Sequence, residues 1–316
     1  MSDQDKPAPE NWERSVLEKL ALSAIQEQRR SRHWSILFKT LGFLYLFIVL
    51  FLAAGWFGSD GVSIKEHTAL VDLQGVIASD QASADSVIAS LQGAFEDKKT
   101  KGVILRINSP GGSPVQAGQI YDEIRRLRAL HPKIPLYAVV DDICASGGYY
   151  VAVGADKIFV DKASIVGSIG VLMDGFGFTQ TMQKLGVERR LLTAGENKGF
   201  LDPFSPVDPK QAAFAKQMLE EIHGQFIGVV REGRGKRLQE TPEMFSGLVW
   251  SGEKSIQLGL ADALGNVESV ARDVIKAEDI VDYTQREGLA ARLASRLGAS
   301  AAKALMPFEQ AGVRLR

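Results

Sequence analysis

The chain has 316 residues, of which 45% are hydrophobic, with 37 Lys and Arg set against 38 Asp and Glu. This balance leaves no whole-chain basic field, so the electrostatic footprint of a nucleic-acid partner is missing. One cysteine, Cys144, excludes an intrachain disulfide framework and any multi-cysteine metal site. The four histidines, at 33, 67, 131 and 223, lack metal-ligand spacing, and no metal or organic cofactor is implied.

Near the N-terminus Trp12, Val16, Leu17, Leu20, Ala21, Ala24 and Ile25 fall on one helical face, as for packing on its own copies or on a membrane surface. Leu41–Phe57 then runs for seventeen residues without a charge, extended upstream by Ile36, Leu37 and Phe38 around a Lys39 that can snorkel. A bilayer core needs about 20 mainly apolar helical residues, and here they cover every face rather than one stripe. Arg29, Arg30, Arg32 and Lys39 precede the span, which puts the N-terminus in the cytoplasm by the positive-inside rule. The expected organisation is a cytoplasmic segment over 1–35, a single-pass anchor in the plasma (inner) membrane over 36–58, an extracytoplasmic domain over 62–280 and an amphipathic tail over 281–316. A cleaved signal peptide competes, with Ala53-Ala54-Gly55 as a weak cleavage site. The late start and the length of the apolar run argue for a retained anchor.

Beyond the span, β-rich apolar runs alternate with helical patterns. Strands are predicted at 68–73, 103–107, 136–140, 157–160, 169–173 and 189–193, and helices at 83–97, 115–130, 146–154, 209–232 and 266–276. This alternation predicts an α/β domain with largely parallel strands. In the tail, Leu289, Leu293, Leu297, Ala301 and Leu305 recur at i+4 spacing, a pattern of a docked helix with a membrane or partner element as the rival.

Two glycine-bearing corners carry the chemistry. The first, Asn108-Ser109-Pro110-Gly111-Gly112, follows the strand VILRI. Proline removes a donor there, and the two glycines let backbone amides turn toward a ligand oxygen, beyond the carboxyl end of a strand where α/β ligands sit. Neither phosphate-loop pattern is present, and an ordinary strand-to-helix turn stays open as the alternative. The second corner, Cys144-Ala145-Ser146-Gly147-Gly148-Tyr149-Tyr150, follows LYAVV. A serine at a strand-to-helix junction exposes its hydroxyl at a helix N-terminus; it reads equally as a nucleophile or as a helix cap, and the GxSxG pattern is absent. Cys144, between Ile143 and Ala145, reads as a buried structural thiol.

A serine nucleophile needs a base, and none of the histidines lies in a glycine-rich corner. Lysine can replace histidine if its pKa is brought down. Among Lys157, Lys162, Lys184 and Lys198, only Lys198 sits in a glycine-bounded loop, between Gly195 and Gly199, able to reach an active site.

Together, Asn108-Ser109-Pro110-Gly111-Gly112, Ala145-Ser146-Gly147-Gly148-Tyr149-Tyr150, Gly167-Ser168-Ile169-Gly170-Val171 and Lys198 after Ala194-Gly195 resemble the bacterial signal peptide peptidase A family, over about residues 68 to 276. The resemblance implies a ClpP/crotonase-like fold of stacked β-β-α units and a single-repeat serine–lysine protease. It implies Ser146 as nucleophile, Lys198 as general base, Ser168 holding the lysine amine, and the amides of Gly111 and Gly147 as the oxyanion hole. Its implied substrates are signal peptides and similar extended apolar peptides, and its implied assembly is a homo-oligomeric ring of eight with shared sites. Gly199-Phe200-Leu201-Asp202-Pro203-Phe204 departs from the polar residue common after the lysine, so Phe200, Leu201 and Phe204 line a pocket or pack structurally. Two rival functions share the fold: a crotonase-type acyl-CoA enzyme, opposed by the membrane anchor, and a non-catalytic scaffold, opposed by the retention of both Ser146 and Lys198.

Overall fold

The computed structural model describes residues 12–53 and 65–285. The chain divides into two units, one carrying the N-terminal helix and the other an α/β domain. Helix α1 (Trp12–Ala53) is continuous, so the amphipathic segment and the described part of the apolar run form one rod. It is long and apolar enough to cross a membrane. The last residues of the expected span, the cleavage-like Ala54-Gly55 and the leucine-patterned tail lie outside the described residues.

The domain is built on β1 (His67–Gln74), β2 (Thr100–Ser109) and β3 (Leu136–Ala145), parallel neighbours in the order β3-β2-β1. Both faces of this centre are covered, which is why the strands read as near-continuous apolar runs. Val71, Leu73, Leu105 and Ile107 face one core with α2 (Ala84–Glu96), α3 (Pro114–Leu130) and Phe226 and Val230 of a later helix. Leu70, Ile104 and Val139 face a second, smaller core with Phe159, Val267 and Val270. The helices start where capping chemistry is strong: Ser83 accepts from the Ser86 amide, and Ser113 accepts from Gln116 with Pro114 in the first turn.

Strand β3 is the branch point. Tyr137–Val139 pair with β4 (Lys157–Val160), whereas Ile143–Ala145 pair with β5 (Ile165–Gly167). Between β3 and β4 the chain turns through α4 (Gly147–Ala152). After β5 the chain runs through an outlying arm with one short helix, α5 (Thr179–Leu185), and returns along α6 (Pro209–Arg234). It then adds β6 (Val249–Ser251), α7 (Gly252–Gln257), β7 (Ala263–Leu264), α8 (Val267–Ser269) with a π-turn over Val270–Ile275, and β8 (Ile280–Asp282). The eight-stranded sheet is mixed, with β5 and β6 its antiparallel pair and the other pairings parallel. This is the expected ClpP/crotonase-like α/β architecture.

Two predicted strands do not form. Residues 169–173 and 189–193 lack strand pairing, with Leu172 and Leu192 facing solvent. A strand needs a neighbouring edge, and for these segments the domain offers none. The helix expected over 266–276 splits into α8 and the π-turn.

Candidate active site

Ser146 sits where β3 ends and α4 begins, with φ 53° and ψ −123°. That region of backbone space is essentially reserved for glycine, and an L-residue held there stores about 1–3 kcal/mol of strain. The surroundings hold it: the Ser146 amide donates to the Gly167 carbonyl at 2.8 Å, and its carbonyl accepts from the Tyr150 amide at 2.9 Å. Although Ser146 occupies the N-cap position of α4, its side chain makes no capping bond. The hydroxyl is thus available for chemistry beside a helix start.

The first corner closes on the second. A Cβ on Gly111 (φ +104°) would lie 2.7 Å from both the Gly147 nitrogen and the Ser146 Cβ, so only glycine allows this approach. The following residues are fixed by Ile77, whose amide donates to the Gly111 carbonyl and whose carbonyl accepts from Ser113, each at 2.8 Å. The Gly111 amide itself is occupied, donating to Ser109 Oγ at 3.2 Å. The Gly112 and Gly147 amides have no acceptor among the described residues, and the Gly112 nitrogen is 3.3 Å from the Cβ position of Gly147.

Ser146, Gly147, Gly112 and Ser168 line one cleft of about 580 Å³; Gly111 does not. Ser168 follows β5, also has a positive φ of 50°, and is anchored by its amide to the Leu248 carbonyl at 2.7 Å. Pro114, Ala117, Tyr150, Ile222 and Phe226 supply apolar walls that the sequence reading did not identify. They come from α3, α4 and α6, and their convergence depends on tertiary packing that no local pattern announces. Tyr150 is wedged between Tyr121 and Phe226, with ring centroids 5.6 and 5.1 Å away.

Lys198 does not line this cleft; it is exposed, in a turn where its amide donates to the Gly195 carbonyl at 3.1 Å. Lys157, Lys162 and Lys184 are exposed and also outside it. Three histidines are committed elsewhere in the domain, and His33 lies on α1. His67 is buried and bonded to the Tyr283 hydroxyl, His131 packs on Phe95, and His223 meets the Ile169 carbonyl at 3.1 Å. Cys144 is fully buried, and burial pushes its thiol pKa far up, as expected of a structural thiol rather than a nucleophile. Phe200 and Phe204 pack structurally, Phe200 edge-on to Phe214 and Phe204 stacked on Phe178.

The profile of peptidase family S49 matches residues 128–281, and that of Clp protease matches residues 65–165. A protease assigned in Synechocystis sp. strain PCC 6803 is 32% identical over 206 residues, 65% of this chain and 72% of that protein. A signal peptide peptidase SppA assigned in Enterococcus faecium is 29% identical over 234 residues, covering 71% of this chain and 67% of that protein. A Na(+)/H(+) antiporter NhaA of Brucella melitensis is 46% identical over 190 residues, 60% of this chain. The chain spans only 26% of that antiporter's length. The chain belongs to peptidase family S49 and is similar to proteases of the signal peptide peptidase A kind.

Proposed function

We propose that the chain is a membrane-anchored endopeptidase in which Ser146 attacks the peptide carbonyl and Lys198 takes its proton. The observation that carries this reading is the strained Ser146, its hydroxyl unspent on capping, in a cleft beside two amides without acceptors. The oxyanion donors are then Gly112 and Gly147 rather than Gly111, whose amide already serves Ser109. Ser168, in the same cleft, holds the lysine amine. Attack forms the Ser146 Oγ–carbonyl bond, the amine leaves with the proton Lys198 accepted, and water releases the acyl group. The apolar walls favour extended apolar segments, signal peptides among them. Residues 36–58 are the anchor, which puts 62–280 outside the cytoplasm, with 1–35 inside and 281–316 as a C-terminal extension.

Lys198 is exposed and outside the cleft of its own subunit, so its reach to Ser146 needs a wall that this subunit does not supply. The arm that carries Lys198 exposes Leu172, Phe176, Leu185, Leu192 and Val207. We therefore assign the lysine of each site to a neighbouring copy in a homo-oligomeric ring, eight by family resemblance, whose closed symmetry suits one anchor per subunit. The test is complementation. Inactive Ser146→Ala and Lys198→Ala proteins are mixed, dissociated and reassembled. Partial recovery of peptidase activity is expected, and mixed rings that stay inactive refute the shared site.

A further inference from the structure

We propose that Arg189 and Asp202 form a clamp that positions the base, so that both are positioning residues for Lys198. This rests on the assignment of Lys198 as base. Among the described residues the Lys198 side chain makes no hydrogen bond, so its place depends on its own loop. The loop descends in short turns, with Phe200 donating to Asn197, Asp202 to Gly199 and Ser205 to Asp202, at 3.1–3.2 Å. Turns of this kind hold a chain weakly unless their ends are pinned.

The pin is an ion pair across the base of the loop. Arg189 Nε lies 3.0 Å from the Asp202 carboxylate, and Ser205 Oγ donates to the same group at 2.6 Å. Asp202 is 8% exposed in an arm that is otherwise largely in solvent. The guanidinium also lies 5.1 Å over the Phe204 ring, which stacks on Phe178 at 5.5 Å. Between the pin and the lysine, Leu201 is held at φ 50°, and its amide donates to Gln211 Oε1 of α6 at 3.0 Å. A left-handed leucine persists only where the surroundings over-determine it. The paired Arg189 and Asp202 on one side and Gln211 on the other supply that determination. The Gly199-Phe200-Leu201-Asp202-Pro203-Phe204 stretch thereby has a role: it fixes the height and direction of Lys198 rather than lining a pocket.

Misplacing a catalytic group by about 1 Å costs up to ~10²-fold in rate. Arg189→Met, which keeps the stem over Phe204 but removes the charge, is expected to lower kcat about 10- to 100-fold with KM changed less than about 2-fold. The rate of Ser146 labelling by a fluorophosphonate should fall by a similar factor, with melting temperature and assembled mass unchanged. In a Lys198→Ala background, Arg189→Met should change the labelling rate less than about 2-fold, because it acts through the missing lysine. The swap Arg189→Asp with Asp202→Arg should recover activity relative to either single change. Wild-type kcat in Arg189→Met, or an equal fold loss with and without Lys198, overturns the clamp. Wild-type activity in Lys198→Ala overturns the base assignment and the clamp with it. A dead Lys198→Ala beside a fully active Arg189→Met overturns the clamp alone.

Discussion

Replacing Gly111 by alanine tests the geometry on which the site depends. The added methyl would lie 2.7 Å from the Gly147 nitrogen and the Ser146 Cβ, and 2.9 Å from the Ala145 carbonyl oxygen. All three belong to the turn of Ser146, and none is the end of a flexible side chain. Opening these contacts to an ordinary 3.4 Å moves the corners apart by roughly 0.5–0.7 Å, and a shift approaching 1 Å costs up to ~10²-fold. Since the same shift draws the Gly112 and Gly147 amides apart, loss of one oxyanion donor adds about 10²-fold or more. The expected kcat is therefore about 10²- to 10⁴-fold below wild type, with KM little changed. Stability falls too: φ +104° penalises alanine by about 1–3 kcal/mol and the overlap adds a similar amount. At about 2–4 °C per kcal/mol for a domain of this size, melting should drop by roughly 4–24 °C. Peptide hydrolysis at a temperature well below the melting point, with circular dichroism to confirm folding, reads both effects. A folded Gly111→Ala protein with kcat within about threefold of wild type would refute the close approach of the two corners.

Ser146→Ala and Ser146→Gly should both lack activity, but the glycine variant should melt higher, because it relieves about 1 kcal/mol or more of the strain at φ 53°; equal melting temperatures would remove the strain argument. Cys144→Ala should keep most activity, since the thiol is buried away from the cleft, and a dead variant with a normal melting curve would reopen the cysteine. Lys198→Arg should be as inactive as Lys198→Ala in a kcat measurement, because a guanidinium does not deprotonate in proteins; substantial turnover by the arginine variant rules the lysine out. Asp262→Asn should cost about 3–5 kcal/mol in urea unfolding, because Arg234, 1% exposed and 2.8 Å from Asp262, loses its counter-charge. Burial pulls the Asp262 pKa up, but the Arg234 hydrogen bond and charge, with the Ile158 amide and Arg237, outweigh it and hold it below the ordinary 3.8. A depressed carboxylate stabilises above its unfolded pKa and loses that stabilisation as pH falls through the folded one. The difference between wild type and Asp262→Asn should therefore shrink below about pH 4, and a difference that is flat down to pH 2 contradicts the linkage.

The readable parts of the fold were those with strong local signals. Strand β4 falls at 157–160 as predicted, and the helices expected over 83–97 and 115–130 form as α2 and α3, directly after the caps Ser83 and Ser113. Strands β5 to β8 have two or three residues each and escaped notice, because alternation cannot register over so short a run. At the site, both corners were legible from their glycines, and so was the buried character of Cys144. The resemblance implied the Gly111 amide as an oxyanion donor, and only the structure shows that this amide already donates to Ser109 Oγ. That bond is local in sequence yet depends on the turn, which Ile77 fixes from another part of the chain.

The segments where sequence and fold part company share a physical cause. Residues 169–173 and 189–193 carry the apolar, β-prone character of strands, yet they lie unpaired, with Leu172 81% and Leu192 97% exposed. Lys198, a few residues on, carries the chemistry expected of a base but stands in solvent. Each feature taken alone would count as a misreading. Taken together they place unpaired β-prone segments, exposed leucines and an exposed cation along one stretch of chain, 169–198. A second copy laid against the arm would answer all three at once: an edge for the strands, cover for the leucines, and a dry wall beside the lysine.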